Sequence, residues 1–157
     1  MLNVKLRTAA GPDLPDILAL YRVLDEEMVR LQPEFFCAAP RDEEELRRTL
    51  QSPDADILLA TVEGRTVGFA LVINAGWTPS FSASLPHRYA ELCDIAVAPP
   101  WRRQGVGSQL VAAAKRWARD RRLEYLELAV LAQNDTAIHL YENHDFVEAT
   151  RTMRCML

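Results

Sequence analysis

The chain has 157 residues and a formal net charge of −4, with 49% apolar and 25% charged residues. This length accommodates one domain with a core large enough to fold unaided, so we expect a single domain over residues 1–157. The acidic balance argues against a nucleic-acid-binding protein, because such proteins carry a basic excess that neutralises phosphates.

The first third of the sequence predicts one strand followed by two helices. Residues 3–8 alternate apolar and polar side chains, as in a short edge strand. Apolar residues then recur at helical spacing from Leu14, which predicts a helix that ends near Leu31. Asp42 is expected to cap a second helix through about Leu50, since acidic side chains favour the positive end of a helix dipole.

A β-rich region follows in the middle of the chain. Residues 57–73 form two runs joined by Glu63-Gly64-Arg65, which indicates a hairpin because Gly64 can supply the positive φ of a tight turn. Residues 76–88 are rich in Pro and Ser and are expected to form a loop. A third β run over residues 89–98 ends at two consecutive prolines.

The last third alternates helices and strands. We expect a helix over residues 104–120, a strand over 123–131 and a short helix over 135–143. Residues 146–156 are expected to give one or two closing strands. The predicted fold is therefore α/β, with a sheet built mostly from hairpins and one helical crossover near the end.

Several kinds of protein are excluded by missing patterns. The opening residues contain no apolar segment typical of a secretory signal, and no uncharged apolar stretch approaches the roughly 20 residues that cross a bilayer. The three cysteines, Cys37, Cys93 and Cys155, form no CxxC pair and indicate reduced thiols. The histidines have no metal-ligand spacing. We therefore expect a cytoplasmic protein without a metal and without a membrane or nucleic-acid partner.

The turn after the third β run is the most informative segment. A strand that ends at Ile95-Ala96-Val97 is followed by two arginines, two close glycines and the start of a helix. Unpaired main-chain N–H groups and the helix dipole make such a start a phosphate receptor when no side chain blocks the approach. Gly105 and Gly107 leave the backbone open, and Arg102 and Arg103 add positive charge. On the glycines alone, a helix that needs close packing is an equal alternative.

Two motifs resemble the GCN5-related N-acetyltransferase (GNAT) family. The first is Arg102-Arg-Gln-Gly105-Val-Gly107, which fits the family's [Gln/Arg]-x-x-Gly-x-[Gly/Ala] pattern after a strand. The second is Asn134-Asp-Thr-Ala137-Ile-His-Leu140-Tyr141-Glu142-Asn-His-Asp145-Phe146, in which Asp145 replaces the usual glycine. The turn there needs a positive φ, which Asp tolerates better than most residues.

The resemblance implies a fold and an activity. The fold is a mixed, mostly antiparallel sheet flanked by about four helices and splayed at an acetyl-coenzyme A (acetyl-CoA) site. The activity is transfer of an acetyl group from acetyl-CoA to a primary amine of a small molecule or peptide. The alternatives are a non-catalytic acetyl-CoA sensor and an interaction module without CoA. A homodimer is common in the family, and nothing in the sequence establishes one.

The resemblance also implies the residues that bind acetyl-CoA. The main-chain amides of the glycine turn would hold the pyrophosphate, and the end of the third β run would pair with the pantetheine, with the Val97 amide facing the thioester carbonyl. Asn134 would bind the pantetheine or only cap the last helix. The implied set is Ile95, Ala96, Val97, Arg102, Arg103, Gln104, Gly105, Val106, Gly107, Ser108 and Asn134.

The implied catalytic residues are an acid and a base. Tyr141 matches the tyrosine that protonates the departing thiolate in many members; its alternative is a buried aromatic of the last helix. Glu91, eleven residues before Arg102, is the first candidate for the base, and Asp94 or a water molecule is the alternative. On an extended strand Glu91 and Asp94 would face opposite sides.

A rival mechanism would acetylate the Cys93 thiolate first, with His139 or His144 as the base; a small core residue is the commoner role of such a cysteine. Acids and aromatics in the regions that bind the acceptor in the family suggest a cationic acceptor with an apolar body, and solvated helix faces explain the acids equally well. These residues are Asp25, Glu26, Glu27, Glu91, Phe35, Phe36, Trp77 and Phe81.

Overall fold

The computed structural model describes residues 2–76 and 84–157. Within these residues a five-stranded sheet has the spatial order β1-β2-β3-β4-β5. The strands are Lys5–Thr8 (β1), Ala55–Val62 (β2), Arg65–Gly76 (β3), Tyr89–Val97 (β4) and Tyr125–Glu127 (β5). The helices are Leu14–Leu31 (α1), Glu43–Gln51 (α2), Val106–Asp120 (α3) and Asp135–Glu142 (α4).

The first four strands pair antiparallel, and β5 pairs parallel to β4 after the crossover through α3. The predicted hairpin is confirmed as β2 and β3, where Val62 pairs with Arg65. Both residues of the turn have positive φ, 49° at Glu63 and 79° at Gly64. This backbone twist matches the twist of the flanking strands, which is why a short turn with glycine suffices.

The sheet is covered on both faces, so the chain builds two apolar cores. On β2, Leu58 and Ala60 pack in the core under α3, whereas Ile57 and Leu59 pack in the core under α1 and α2. Successive side chains of a strand point to opposite faces, so a continuous apolar run is what a strand covered on both sides requires. Phe69 is the largest fully buried side chain.

The two strands at the end of the sheet separate soon after they pair. The parallel pairing joins only Tyr89–Glu91 to Tyr125–Glu127. Beyond Glu91, β4 continues to Val97 without a β5 partner among the described residues. The predicted mixed, mostly antiparallel and splayed sheet is therefore confirmed.

Several expected boundaries and one expected element differ from the structure. The strand expected over residues 123–131 is confined to Tyr125–Glu127, and α3 begins at Val106 and not at Gln104, because Gly105 has a φ of 83°. The closing strands expected over residues 146–156 are wrong, since the structure describes no strand there. Val147 and Met153 are 85% and 88% exposed, so these two side chains pack against neither face of the sheet. The expected positive φ at Asp145 is confirmed at 67°.

Candidate active site

A cavity of about 740 Å³ occupies the gap where β4 leaves β5. Its walls come from α1, the second half of β4, the turn before α3, residues 129–131 and α4. Most of the predicted site residues line it, namely Ile95, Ala96, Val97, Arg102, Arg103, Gly105, Gly107, Ser108, Asn134 and Tyr141. Three predicted residues, Glu91, Gln104 and Val106, are not among the described residues that line it; Val106 is buried in the core under α3.

The turn before α3 exposes main-chain donors to this cavity. Gly105 precedes the helix with a left-handed φ of 83° and no side-chain cap, and the intrahelical bonds begin with Gln109 N donating to Gly105 O at 3.1 Å. The amides of Val106, Gly107 and Ser108 therefore have no partner within the helix. A Cβ at position 107 would lie 3.3 Å from Leu140 Cδ2 and 3.9 Å from Val97 Cγ2. Glycine at position 107 therefore allows α4 to pack closely on the start of α3, as the close-packing alternative expects, and the free amides beside Arg102 and Arg103 suit a diphosphate.

Side chains of the turn fix its path. Arg102 Nε donates to Val97 O at 3.0 Å, and Gln104 Nε2 donates to Pro100 O at 2.9 Å. Arg103 has a φ of 61°, an uncommon value for a residue with a side chain. Gln104 thus supports the turn from outside the cavity, and Arg102 connects the turn to the end of β4.

Asn134 begins α4 as its capping residue. Its side-chain oxygen accepts a hydrogen bond of 3.2 Å from Ala137 N, so the capping alternative is present in the structure. Because Asn134 also lines the cavity, capping and contact with a ligand are compatible.

Tyr141 presents a neutral phenol at the wall of the cavity. The residue is 8% exposed, and burial raises the pKa of its hydroxyl to about 12. Phe146 flanks its ring, with 5.8 Å between ring centroids. The phenol therefore keeps its proton near neutral pH and can donate it.

A β-bulge at Cys93 changes which carboxylates share a face. Leu71 pairs with Asp94 and Val72 with Leu92, so Cys93 is an extra residue in β4. Leu92 packs under α3, whereas after the bulge Ala96 packs under α1. The expectation that Glu91 and Asp94 face opposite sides is therefore wrong, because the extra residue shifts the alternation by one. Both face α1, and Asp94 lines the cavity.

Asp94 is held by a cluster that the sequence did not reveal. Tyr21 Oη donates to Asp94 Oδ2 at 2.9 Å, across 73 positions of sequence. Next to Tyr21, the 5%-exposed Asp25 is paired with Arg41 at 2.6 Å. One feature of the sequence points to this cluster. Asp25 follows Tyr21 by four residues, so it lies on the buried stripe of α1. A charged residue on such a stripe requires a partner.

In the structure, Cys93 and the two histidines of the rival mechanism are hydrogen-bonded to other groups and not to one another. Burial, then the charges of Glu91 and Asp94, raise the pKa of the Cys93 thiol to about 12, which disfavours the thiolate. His144 Nε2 lies 2.7 Å from Ser108 Oγ, and His139 Nδ1 lies 2.7 Å from Asp135 O. Neither imidazole is hydrogen-bonded to Cys93.

The acidic and aromatic residues expected near an acceptor make different contacts in the structure. Asp25 is neutralised by Arg41, and Glu27 lines the cavity but is paired with Arg30. Arg154 stacks on Phe35, with Cζ 3.5 Å from the ring centroid. Trp77 and Phe81 lie outside the described residues.

Residues 2–76 and 84–157 show neither a metal-binding cluster nor a membrane-spanning helix. They contain no group of three His, Cys, Asp or Glu side chains suited to hold a metal ion. None of the helices in this part of the chain is long and apolar enough to span a bilayer.

Comparisons with known proteins agree with this geometry. An uncharacterized N-acetyltransferase of Archaeoglobus fulgidus is 27% identical over 143 residues, covering 90% of this chain and 92% of that protein. A tetramutant of the BH1408 protein from Bacillus halodurans shares the fold with a TM-score of 0.89 at 18% identity, covering 98% of this chain and 99% of that one.

The fold is also shared with a CoA-bound enzyme. Aminoglycoside N-acetyltransferase AAC(6')-Iy, solved in complex with CoA, superposes with a TM-score of 0.72 at 19% identity, covering 100% of this chain and 96% of that one. At this identity the likeness concerns the fold alone. The model of the acetyltransferase (GNAT) family matches residues 19–146, which is most of the sequence. The chain therefore belongs to the GNAT family of acetyltransferases.

Proposed function

We propose that this protein transfers the acetyl group of acetyl-CoA to a primary amine of a small molecule or peptide by direct attack. The observation that carries the proposal is the coincidence of two features in one cavity. The open start of α3 supplies main-chain donors for a diphosphate, and the unpaired end of β4 supplies an edge for an extended arm.

The chain's own groups account for acetyl-CoA binding. The amides of Val106, Gly107 and Ser108 would hold the pyrophosphate, and the two arginines of the turn would add charge. The pantetheine would lie beside the part of β4 after Glu91, which has no β5 partner in the described part of the chain. The Val97 amide would stabilise the negative charge that develops on the thioester carbonyl oxygen.

The reaction requires two proton transfers at opposite ends. The amine nitrogen forms a bond to the carbonyl carbon while the carbon–sulfur bond breaks, so the amine loses a proton and the thiolate gains one. We assign the first transfer to Asp94, because it lines the cavity, whereas Glu91, the first candidate from the sequence, does not. Tyr141 delivers the second, since its buried phenol is neutral and faces the cavity.

The acceptor is proposed to be a cationic amine with an apolar body. Val23, Leu24, Met28 and Leu31 of α1 line the cavity together with Asp94, and this combination suits such a molecule. AAC(6')-Iy, which shares the fold, was solved with the bisubstrate analogue CoA-S-monomethyl-acetylneamine. Aminoglycosides and polyamines are therefore the first acceptors to test, followed by peptide amino termini.

An amine panel with a free-thiol assay tests the function. We expect thiol release from acetyl-CoA that depends on both the amine and the enzyme. Gly107→Leu is the loss-of-binding variant, because its Cβ alone would lie 3.3 Å from Leu140 Cδ2, so the larger side chain should displace α4 from the start of α3 and abolish binding of acetyl-CoA. Acetyl-CoA binding measured by calorimetry without release for any amine would favour the sensor alternative; no binding would contradict the proposal.

The proposal includes a homodimer in which a second copy covers residues 147–157. Val147, Met153 and Met156 are between 68% and 88% exposed, and a second copy that covered them would remove this apolar surface from water. The segment has the alternation of a strand, and β5 is the last strand of the sheet, so a second copy could add a strand there. Light scattering should give twice the chain mass, and replacing these three residues with serine should give the monomer. A monomeric wild type would contradict this part.

We also assign the protein to the cytoplasm. The exposed thiols of Cys37 and Cys155 are free, as expected in a reducing compartment.

A further inference from the structure

We propose that Tyr21 and Arg41 are positioning residues that hold the Asp94 carboxylate in the orientation and the ionised form that a general base needs. The inference deepens the proposed function and rests on it. It concerns residues of α1 and of the segment between α1 and α2, neither of which belongs to the acetyl-CoA motifs.

Tyr21 is in direct contact with Asp94. The Tyr21 hydroxyl donates to Asp94 Oδ2 over 2.9 Å. The Tyr21 ring that carries the hydroxyl is buried. Its centroid lies 4.7 Å from the centroid of the Phe69 ring, and the Cζ atom of Arg41 lies 4.7 Å from the Tyr21 centroid. The ring is therefore fixed by packing, and its hydroxyl fixes one carboxylate oxygen.

Asp25 holds Arg41 through a bidentate pair. The two terminal nitrogens of Arg41 donate to the two oxygens of Asp25, Nη2 to Oδ1 at 2.6 Å and Nη1 to Oδ2 at 3.0 Å. Ala39 N also donates to Asp25 Oδ2 at 3.3 Å. This bidentate arrangement fixes the guanidinium plane, so Arg41 stays over the Tyr21 ring.

The charges around Asp94 explain why the arrangement affects protonation. The groups that act on it are Tyr21 and Asp25 from α1 and Arg41 from the following segment, and its charge in turn acts on the neighbouring Cys93 thiol of β4. Burial raises the pKa of Asp94 above its ordinary value, and the charge of Asp25 adds to the increase. The Tyr21 hydrogen bond and the Arg41 charge lower the pKa and so oppose burial.

The protonation state of Asp94 determines how activity depends on pH. A base must be ionised, so activity is lost as the pH falls through the pKa of Asp94. Burial and the charge of Asp94 also raise the pKa of Tyr21, which therefore remains a donor. Removing the Tyr21 hydroxyl takes away a bond to the ionised form, which raises the pKa of Asp94 and moves the loss of activity to higher pH.

A purely structural tyrosine would behave differently. Phenylalanine preserves the ring and its packing on Phe69, so a structural role leaves the pKa of Asp94 unchanged. Tyr21→Phe therefore separates the two roles. Tyr125→Phe is the matched control, because Tyr125 lies on β5 and stacks on Tyr89, away from Asp94.

The test measures the pKa of Asp94 directly and through activity. Carboxyl carbons are followed by NMR against pH in the full-length protein, and Asp94→Asn identifies the signal. We expect Tyr21→Phe to raise this pKa by about one unit, to move the acidic limb of kcat/KM by the same amount, and to lower the plateau at higher pH, because the carboxylate loses the hydrogen bond that orients it. Tyr125→Phe should change neither quantity.

Arg41→Lys provides a second variant, which retains a positive charge and loses the fork to Asp25. It should lower the plateau of kcat/KM by loosening Tyr21, with a smaller change in the pKa of Asp94 than in Tyr21→Phe. An unchanged pKa of Asp94 in Tyr21→Phe overturns the inference, whether or not the enzyme is active. A wild type that releases no thiol with any amine contradicts the proposed function alone, since the NMR titration still reports on Asp94.

Discussion

The Nε atom of Arg102 donates a 3.0 Å hydrogen bond to the carbonyl oxygen of Val97, which joins the start of the glycine turn to the last residue of β4. The two segments proposed to bind the diphosphate and the pantetheine are thereby held at a fixed distance. Arg102 thus has a supporting role in addition to its charge, whereas Arg103 is hydrogen-bonded to no described residue.

This difference predicts unequal effects on acetyl-CoA binding. Arg103→Ala removes a charge and should raise the Kd by a factor of about three, an effect that shrinks as salt is added. Arg102→Ala also frees the turn from Val97 and should raise the Kd about tenfold, with part of the loss persisting at high salt. Calorimetry at low and high salt measures both. Equal losses that vanish with salt would show that Arg102 contributes only charge.

Tyr141→Phe should separate chemistry from binding. The hydroxyl is proposed to protonate the leaving thiolate, so its loss should lower kcat by about a hundredfold. The buried ring remains packed, so the Kd of acetyl-CoA should change by less than about twofold. Steady-state rates and calorimetry on the same preparation measure the two quantities, and an unchanged kcat would reduce Tyr141 to a packing residue.

Local signals in the sequence predicted the parts of the structure that depend on local chemistry. The Asp42 side chain caps α2 by accepting from Glu44 N and Glu45 N, and the Gly64 turn closes the hairpin. Both depend on neighbouring residues. The glycine turn before α3 was equally visible, because its backbone geometry is set by Gly105 itself.

Long-range features were not predictable in the same way. The bulge at Cys93 depends on the register between β3 and β4, so the sequence of β4 alone assigned Asp94 to the wrong face. The bond between Tyr21 and Asp94 joins α1 to β4 and has no local pattern. The strands expected over residues 146–156 failed for a related reason, since alternation predicts a capacity to pair and not the presence of a partner.

The choice between the two carboxylates of β4 is testable by amide substitution. Asp94→Asn should lower kcat/KM about a hundredfold, because the amide cannot accept a proton from the amine. Its shape and its bond from Tyr21 are retained. Glu91→Gln should change kcat/KM by less than about threefold, since Glu91 is not among the residues that line the cavity. The reverse order of effects would return the base to Glu91.

Alkylation distinguishes direct attack from a cysteine route. Because the pKa of Cys93 is raised to about 12, only about one thiol in ten thousand is ionised at pH 8. The exposed Cys37 and Cys155 should therefore react with iodoacetamide much faster than Cys93. Mass spectrometry of peptides after timed reaction measures all three sites. Rapid labelling of Cys93, together with its protection by acetyl-CoA, would revive the thiolate mechanism.

The contact between β2 and α3 should control stability without affecting the site. Trp117 Nε1 donates to Asp56 Oδ2 at 2.7 Å, and Arg121 Nη2 donates to the same oxygen at 3.0 Å while stacking on the indole. Trp117 is 6% exposed and the Asp56 side chain is 26% exposed, so Asp56→Ala leaves the indole N–H without its protein partner at the edge of the core. We expect the free energy of unfolding to fall by about 2 kcal/mol and Tm by about 6 °C.

Asp54→Ala is the control for this prediction, because Asp54 is exposed and its carboxylate contacts neither Trp117 nor Arg121. Its free energy of unfolding should change by less than about 0.5 kcal/mol. Trp117→Phe in the Asp56→Ala background removes the stranded donor, so the two substitutions together should cost less than the sum of their separate effects. Strictly additive costs in urea unfolding would mean that the indole N–H finds water when Asp56 is absent, and that the loss comes from packing alone.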